Sequence, residues 1–124
     1  VVNGGAMTAS QAQFEARKAS GRGTYISDED IAKLVQPNAQ NIAQMAPRTA
    51  VQQTRQGPML MMRRGSEFCR PRFFIDGYDF RNIDADEEAQ FFLIAKRVEM
   101  YTANDAPAQF NDFSGCGSVV IWTK

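Results

Sequence analysis

The sequence predicts an α+β fold, in which two or three short helices pack on a small mixed β-sheet of four to five strands. Two observations support this. As far as Pro47, polar residues that cap helices precede apolar residues at helical spacing, and from Thr49 onward short apolar runs alternate with turn residues. The length of 124 residues, of which 44% are hydrophobic, suits one domain with its own core. Helices followed by strands favour helices on one side of the sheet.

The first helix is expected over residues 8–18. Ser10 and Gln13 have the spacing of a capping box, in which each side chain bonds the other residue's backbone. Phe14 is the only large apolar residue of this stretch. We therefore expect a short helix that is weakly anchored to the rest of the protein.

Two more short helices are expected before the strands begin. Ser27 can cap the first of them, and the acidic residues 28–30 face the positive end of its dipole. Asn38 can cap the second, and Pro47 stops it. Their apolar faces contain Ile31, Leu34, Val35, Ile42 and Met45.

The second half of the chain has the pattern of strands. A glycine-proline pair at residues 57–58 marks a turn between two strands, and Asp76-Gly77 ends a buried one. A helix is expected from Asp84 to about Leu93, with Phe91 and Phe92 packed inward. The predicted strands are 49–53, 59–63, 72–75, 98–101 and 118–123.

The composition argues against several classes of function. The chain has no histidine, which is the commonest general base and metal ligand. Fourteen basic and fourteen acidic residues cancel, so no net charge attracts nucleic acid. No stretch approaches the roughly 20 apolar residues of a membrane helix. We expect no enzyme activity, no cofactor, no metal, no nucleic-acid partner and no direct membrane insertion. A start at Val1 suggests a mature or excised piece.

Some residues invite a chemical interpretation but have a simpler structural one. Met59, Met61 and Met62 could bind copper through their sulfur atoms, although flexible methionines more often fill a core. Asp76 with Asp79, or Asp84 with Asp86, could act as acid-base pairs. Aspartate beside a glycine turn or before a helix usually bonds the local backbone instead. The clustered arginines 55, 63, 64, 70, 72 and 81 fit a solvated surface of mixed charge better than an anion site.

Four motifs occur in a characteristic order. They are an apolar strand ending in arginine-glycine (61–65), a strand ending in aspartate-glycine (73–77), a strand with a central glutamate (97–101) and a glycine-led strand ending in threonine-lysine (117–124). In this order they resemble the plug domain of TonB-dependent outer-membrane receptors. We therefore divide the chain into a lead-in segment with a short helix, residues 1–25, and a plug-like domain, residues 26–124.

A narrower resemblance is to small, barrel-less plug-like proteins associated with carboxypeptidase-regulatory-like domains. Those proteins have a phenylalanine-led basic start, a cysteine-proline segment and a glycine-cysteine-glycine sequence before the last strand. The residues that correspond to these three features are Phe14 to Lys18, Cys69-Arg70-Pro71 and Gly115-Cys116-Gly117, and the segment from Ala106 to Phe110 adds to the resemblance.

The resemblance implies a binding or adaptor module of the cell envelope, associated with the periplasm or outer membrane. Its partner would be an envelope protein, such as a β-barrel or a TonB-like protein. The residues expected to face that partner lie in two loops and are Asp76, Gly77, Tyr78, Asp79, Arg81, Asn104, Asp105, Gln109, Asn111 and Asp112. The alternative is a gating plug from a full TonB-dependent transporter that takes up an iron chelate or similar ligand.

The periplasmic setting that the resemblance implies bears on Cys69 and Cys116. Two cysteines in such a chain favour a disulfide, and two free, buried thiols are the alternative. A catalytic thiol is disfavoured because no histidine is present to activate it.

Overall fold

The computed structural model describes residues 8–80, 83–111 and 115–124. Within them lie four α-helices, one 3₁₀ helix and eight strands. The helices are α1 Ala9–Ser20, α2 Asp28–Ala32, α3 Ala39–Gln44 and α4 Ala85–Leu93, and the 3₁₀ helix is Ala108–Phe110. The strands are β1 Thr24–Ile26, β2 Thr49–Thr54, β3 Gly57–Arg64, β4 Glu67–Cys69, β5 Arg72–Ile75, β6 Tyr78–Phe80, β7 Arg97–Tyr101 and β8 Ser118–Trp122.

The strands form two sheets. The main sheet has five strands in the order β1-β7-β8-β5-β6, and it is mixed because β5 and β8 are parallel while the other neighbours are antiparallel. The second sheet is antiparallel, with the order β2-β3-β4. The α+β class and a mixed sheet of five strands are thereby confirmed. The separate second sheet, which contains the two strands predicted on either side of a turn at 57–58, was not predicted. The turn itself lies at residues 55–56, and the glycine-proline pair begins β3.

Helices cover both faces of the main sheet, so the expectation of helices on one side is wrong. In β8, Val119 and Ile121 belong to a core shared with α2, α3, α4 and β3. Val120 and Trp122 point to the opposite face and pack with Phe14 of α1 and Phe110 of the 3₁₀ helix. The reason is that β7 and β8 are buried on both faces, so each face needs its own cover.

Helix α1 is anchored more firmly than its single apolar residue suggested. Phe14 has no exposed surface, and Arg17 of the same helix forms an ion pair with Glu99 of β7. The capping box uses Thr8 and Gln11, not Ser10 and Gln13. The proposed boundary between residues 25 and 26 falls within β1, which pairs with β7 at the edge of the main sheet.

The other helix starts agree with the sequence pattern. Ser27 and Asp30 form the capping box of α2, and the Asn38 side chain accepts the backbone N–H of Asn41 at 2.8 Å. Asp84 caps α4 by accepting the N–H of Glu87 at 2.8 Å. These caps satisfy amides that have no partner within the helix, and therefore fix where each helix begins.

A disulfide joins the two sheets. Cys69 ends β4 and Cys116 lies two residues before β8, and their Cα atoms are 6.0 Å apart. The bond closes a separation of 47 residues, which is worth about 4 kcal/mol in the chain-entropy treatment. Gly117 follows with φ of 108°, and a Cβ there would lie 2.4 Å from the carbonyl oxygen of Tyr101. Only glycine therefore fits at this point of the crosslinked turn.

Candidate functional site

The first predicted loop is the tight turn between β5 and β6. Asp76 has φ of 52° and Gly77 of 89°, and two such residues between antiparallel strands make the hairpin turn that aspartate-glycine favours. The Asp76 carboxylate accepts the N–H of Thr123 at 2.8 Å and its hydroxyl at 2.5 Å. The Asp76 side chain thus links the hairpin to Thr123, the residue after β8, and is not free to face a partner.

The strand after this turn presents side chains to solvent. Tyr78 is 72% exposed and Asp79 is also exposed. The Asp79 carboxylate accepts two hydrogen bonds from Nη1 of Arg72, at 2.7 and 2.8 Å. Strand β6 is the last strand of the main sheet, so one of its edges has no strand partner among the described residues. Such an edge can receive a strand from another protein.

The second predicted loop follows β7. Asn104, Asp105 and Gln109 are exposed, and Asp105 accepts the Thr102 hydroxyl at 2.9 Å. Phe110, by contrast, is buried against the main sheet. Asn111 is half-buried, while two other predicted residues, Arg81 and Asp112, lie outside the described residues.

The two loops leave the main sheet at opposite ends. Ile75 of β5 pairs with Ile121 near the end of β8, and the hairpin follows it directly. Tyr101 of β7 pairs with Ser118 at the start of β8, and the second loop follows there. The loops therefore start about 10 Å apart along β8, at about 3.3 Å per residue. They form two separate surfaces and not the single face that the sequence suggested.

Glu99 is the centre of a buried ionic cluster on the face covered by α1. Arg17 donates Nε and Nη2 to its two carboxylate oxygens at 2.6 and 2.7 Å, and Nε1 of Trp122 donates at 2.5 Å. The Tyr101 hydroxyl donates a further hydrogen bond. We call these four residues the Glu99 cluster. The guanidinium of Arg17 also lies 5.2 Å from the ring centre of Phe110.

The pKa shifts in this cluster result from its hydrogen bonds and its burial. The hydrogen bond to Glu99 raises the pKa of Arg17 above its ordinary value. Burial, with donation to Glu99 as the next cause, raises the pKa of the Tyr101 hydroxyl. Both groups therefore keep their protons at neutral pH. Since Glu99 has no exposed surface and accepts four protein donors, its carboxylate holds structure together and is not open to a substrate.

A second buried carboxylate joins α4 to the second sheet. Glu88 accepts the N–H of Leu60 at 2.8 Å and lies 2.5 Å from Nη1 of Arg70. Arg70 also donates to the carbonyl oxygen of Leu60 at 2.7 Å. Burial raises the pKa of Glu88, although Arg70 opposes the shift. We call Glu88, Arg70 and Leu60 the Glu88 cluster.

The cysteines and methionines that could in principle react or bind a metal contribute to the fold instead. The cysteines are joined in the disulfide, and Met62 packs in the core while Met59 and Met61 are half-buried. Within the described residues, no group of three or more acidic or cysteine side chains could hold a metal ion. None of the described helices is long and apolar enough to cross a membrane.

One feature of the surface was missed at the sequence level. Arg48 and Arg22 border cavities beside the second loop, together with Arg63 and Arg64 of β3. These arginines come from separate segments. The sequence places Arg63 and Arg64 in the arginine-glycine motif and among the clustered arginines, but it gives no reason to group Arg22 and Arg48 with them. No spacing pattern links Arg22 or Arg48 to that motif, so only the tertiary fold brings them together.

Comparison with known proteins gives a likeness in fold. No protein-family model matches the chain, and no curated protein does either. A solved structure does match: a mutant of the ferric enterobactin receptor from Pseudomonas aeruginosa, with a TM-score of 0.52 at 20% identity over 90% of this chain. The chain has the fold of a part of that receptor. It spans 18% of the receptor's length, and the likeness supports the plug-like relation implied by the motif series.

Proposed function

We propose that this protein is a non-enzymatic, plug-like binding module of the cell envelope, associated with the periplasm or outer membrane, that recognises a protein partner. The observation that carries the proposal is the fold likeness to part of the ferric enterobactin receptor over 90% of the chain. The partner classes are a β-barrel and a TonB-like protein. The disulfide is consistent with an oxidising compartment outside the cytoplasm.

Two structural features support binding over catalysis. The buried glutamates at positions 88 and 99 have no exposed surface and are engaged by protein donors. The exposed β6 edge and the loop after β7 offer backbone and polar side chains on elements fixed by the main sheet. Tyr78 is the most prominent of these groups because a large aromatic ring at 72% exposure can anchor an interface.

Site-specific photo-crosslinking in the envelope tests the proposal. A photoreactive residue in place of Tyr78 or Gln109 is expected to crosslink to a defined envelope protein. Val35 was expected on an apolar helix face, but it lies in the segment between α2 and α3 and is fully exposed, so it serves as a matched control position. Equal crosslinking at all three positions, or none at 78 and 109, would contradict a specific partner surface.

The second candidate function is a gating plug within a transporter for an iron chelate or similar ligand. The same fold likeness favours it, since the matched protein is a ferric enterobactin receptor. The parent reading frame separates the two functions. A series of strands after Lys124, each of about ten residues with alternating polarity, would favour the gating plug. The absence of such strands from the parent frame would favour the adaptor.

A further inference from the structure

A basic cleft lies at the end of the main sheet where β7 ends and β8 begins. Three adjoining cavities of about 290, 400 and 260 Å³ form it, and Arg48 lines all three. Arg22 lines the first cavity, and Arg63 lines the second and third. We call this surface the arginine cleft. Its other wall includes Thr102 and Asn104 of the second loop.

Among the described residues that line the cleft, arginines outnumber acidic residues. Within residues 8–80, 83–111 and 115–124, Arg22 and Arg48 make no ion pair, and Arg63 donates Nε to the carbonyl oxygen of Gly65 at 2.8 Å. Asp105 is the acidic residue among the described lining groups, and it already accepts the Thr102 hydroxyl. Guanidinium groups that share a concave surface in this way attract an anion, whose oxygens match their planar forks.

Arg48 has an unusual backbone conformation. Its φ is 64°, a region that residues with a Cβ seldom occupy. Its carbonyl oxygen accepts the N–H of Arg63 at 2.8 Å, so the two arginines are fixed to each other through the main chain. Backbone strain of this kind persists where the surroundings enforce it, and it is concentrated at binding sites.

The floor of the first cavity distinguishes between kinds of anion. Met62 and Met100 lie there and are almost fully buried, and Pro47 borders the same cavity. An apolar floor under a basic rim suits a ligand with acidic groups beside apolar ones, which a bare phosphate lacks. We propose that the arginine cleft binds an acidic peptide segment of the partner, with carboxylates on Arg22, Arg48 and Arg63 and an apolar side chain on the methionine floor. This inference rests on the proposed function.

Fluorescence anisotropy with a labelled peptide of alternating glutamate and leucine tests the proposal at low ionic strength, where exposed charges are least screened. The intact, disulfide-bonded protein is expected to bind it, and the Arg48→Asn/Arg63→Gln double variant to bind about tenfold more weakly. Asparagine is chosen at 48 because it tolerates positive φ. Arg55→Gln is the matched control, since Arg55 is exposed in the turn at the far end of β2 and β3. Its affinity is expected to change less than twofold.

Three results would overturn the inference. The first is equal binding by the double variant, and the second is equal binding of a peptide with glutamine in place of glutamate. The third is an absence of peptide binding combined with protection of the protein against unfolding by inorganic phosphate. That result would make the cleft a site for small oxyanions. Crosslinking at positions 78 and 109 is scored separately. If it persists while the glutamate peptide fails to bind, the inference is wrong and the proposed function stands.

Discussion

The two buried glutamates of this protein are alike in burial and differ in how their charge is satisfied. Neither Glu88 nor Glu99 has exposed surface, and each has one arginine partner. Glu99 accepts two hydrogen bonds from Arg17 and one each from Tyr101 and Trp122. Glu88 has one backbone N–H and one guanidinium contact. The arginine of the Glu88 cluster is also more open, with 26% of its side chain exposed against 14% for Arg17.

The two carboxylates are equally buried, so they differ in the number of donors that satisfy them. Removing a carboxylate from water costs several kcal/mol, and only hydrogen bonds and an opposite charge offset that cost. At Glu88 burial outweighs its donors, and the pKa of the carboxyl is raised. The Glu99 cluster ties α1, β7 and β8 together, whereas the Glu88 cluster joins α4 to β3. The main sheet therefore has the better satisfied of the two ionic junctions.

The largest effect is expected from Glu99→Ala. The change leaves the guanidinium of Arg17 largely buried without its counter-charge and removes the acceptor of Tyr101 and Trp122, which should lower the free energy of unfolding by about 3–5 kcal/mol. Urea denaturation followed by tryptophan fluorescence and circular dichroism measures it. Adding Arg17→Met should recover part of the loss because it removes the unpaired charge. A loss below about 1 kcal/mol for Glu99→Ala would contradict the role given to this cluster.

Glu88→Ala should cost less, about 2–3 kcal/mol. The N–H of Leu60 loses its acceptor in the interior, but Arg70 is partly exposed and can recover water. The same urea titration, run beside Glu99→Ala, gives the difference directly. If Glu88→Ala proved the more damaging change, the ranking of the two junctions would be reversed.

Local features could be predicted from the sequence, whereas the ionic clusters could not. The starts of α2, α3 and α4 and the strand character of β5, β7 and β8 follow from caps and apolar runs. Glu99 could be noted as the centre of a motif, but its partner Arg17 is 82 positions away in the chain. Pairing of that kind depends on strand order and on which face α1 covers.

The same limit applies to the candidate site. Both loops were predicted as turn-rich segments, and their exposed residues include Tyr78 and Asn104. Their positions at opposite ends of the main sheet depend on the parallel pairing of β5 with β8. Hydrophobic pattern does not determine strand order, so sequence reasoning merged two surfaces into one. The arginine cleft was missed for the same reason.

Tyr101→Phe tests one donor of the Glu99 cluster by itself. It removes the hydroxyl while keeping the ring, and a hydrogen bond to a charged group is worth about 1.5 kcal/mol or somewhat more. The matched control is Tyr78→Phe, since the hydroxyl of that exposed residue is expected to contribute less than about 0.5 kcal/mol. Thermal and urea unfolding of both variants measure the contrast. Equal losses would mean that the cluster does not depend on its fourth donor.

The smallest effect is a pH dependence confined to the Glu88 cluster. Because burial raises the pKa of Glu88 above its ordinary value of 4.5, the folded protein holds this proton more tightly than the unfolded chain does. The stabilising contribution is thus fully present below about pH 4.5 and is lost as pH rises through the raised pKa. As pH rises through the raised pKa of Glu88, the wild-type protein should lose stability relative to Glu88→Gln.

Urea unfolding of wild type and Glu88→Gln at a series of pH values measures this dependence. Subtracting the two curves removes the titration of all other groups that the substitution leaves unchanged. Glu67→Gln, at an exposed position of β4, is the matched control for exchanging glutamate for glutamine outside the core. A Glu88 difference that rises with pH would mean that Arg70 outweighs burial. The hydrogen bonds and ion pair of Glu88 would then be sufficient to offset its burial, and the contrast between the two junctions would lie in geometry alone.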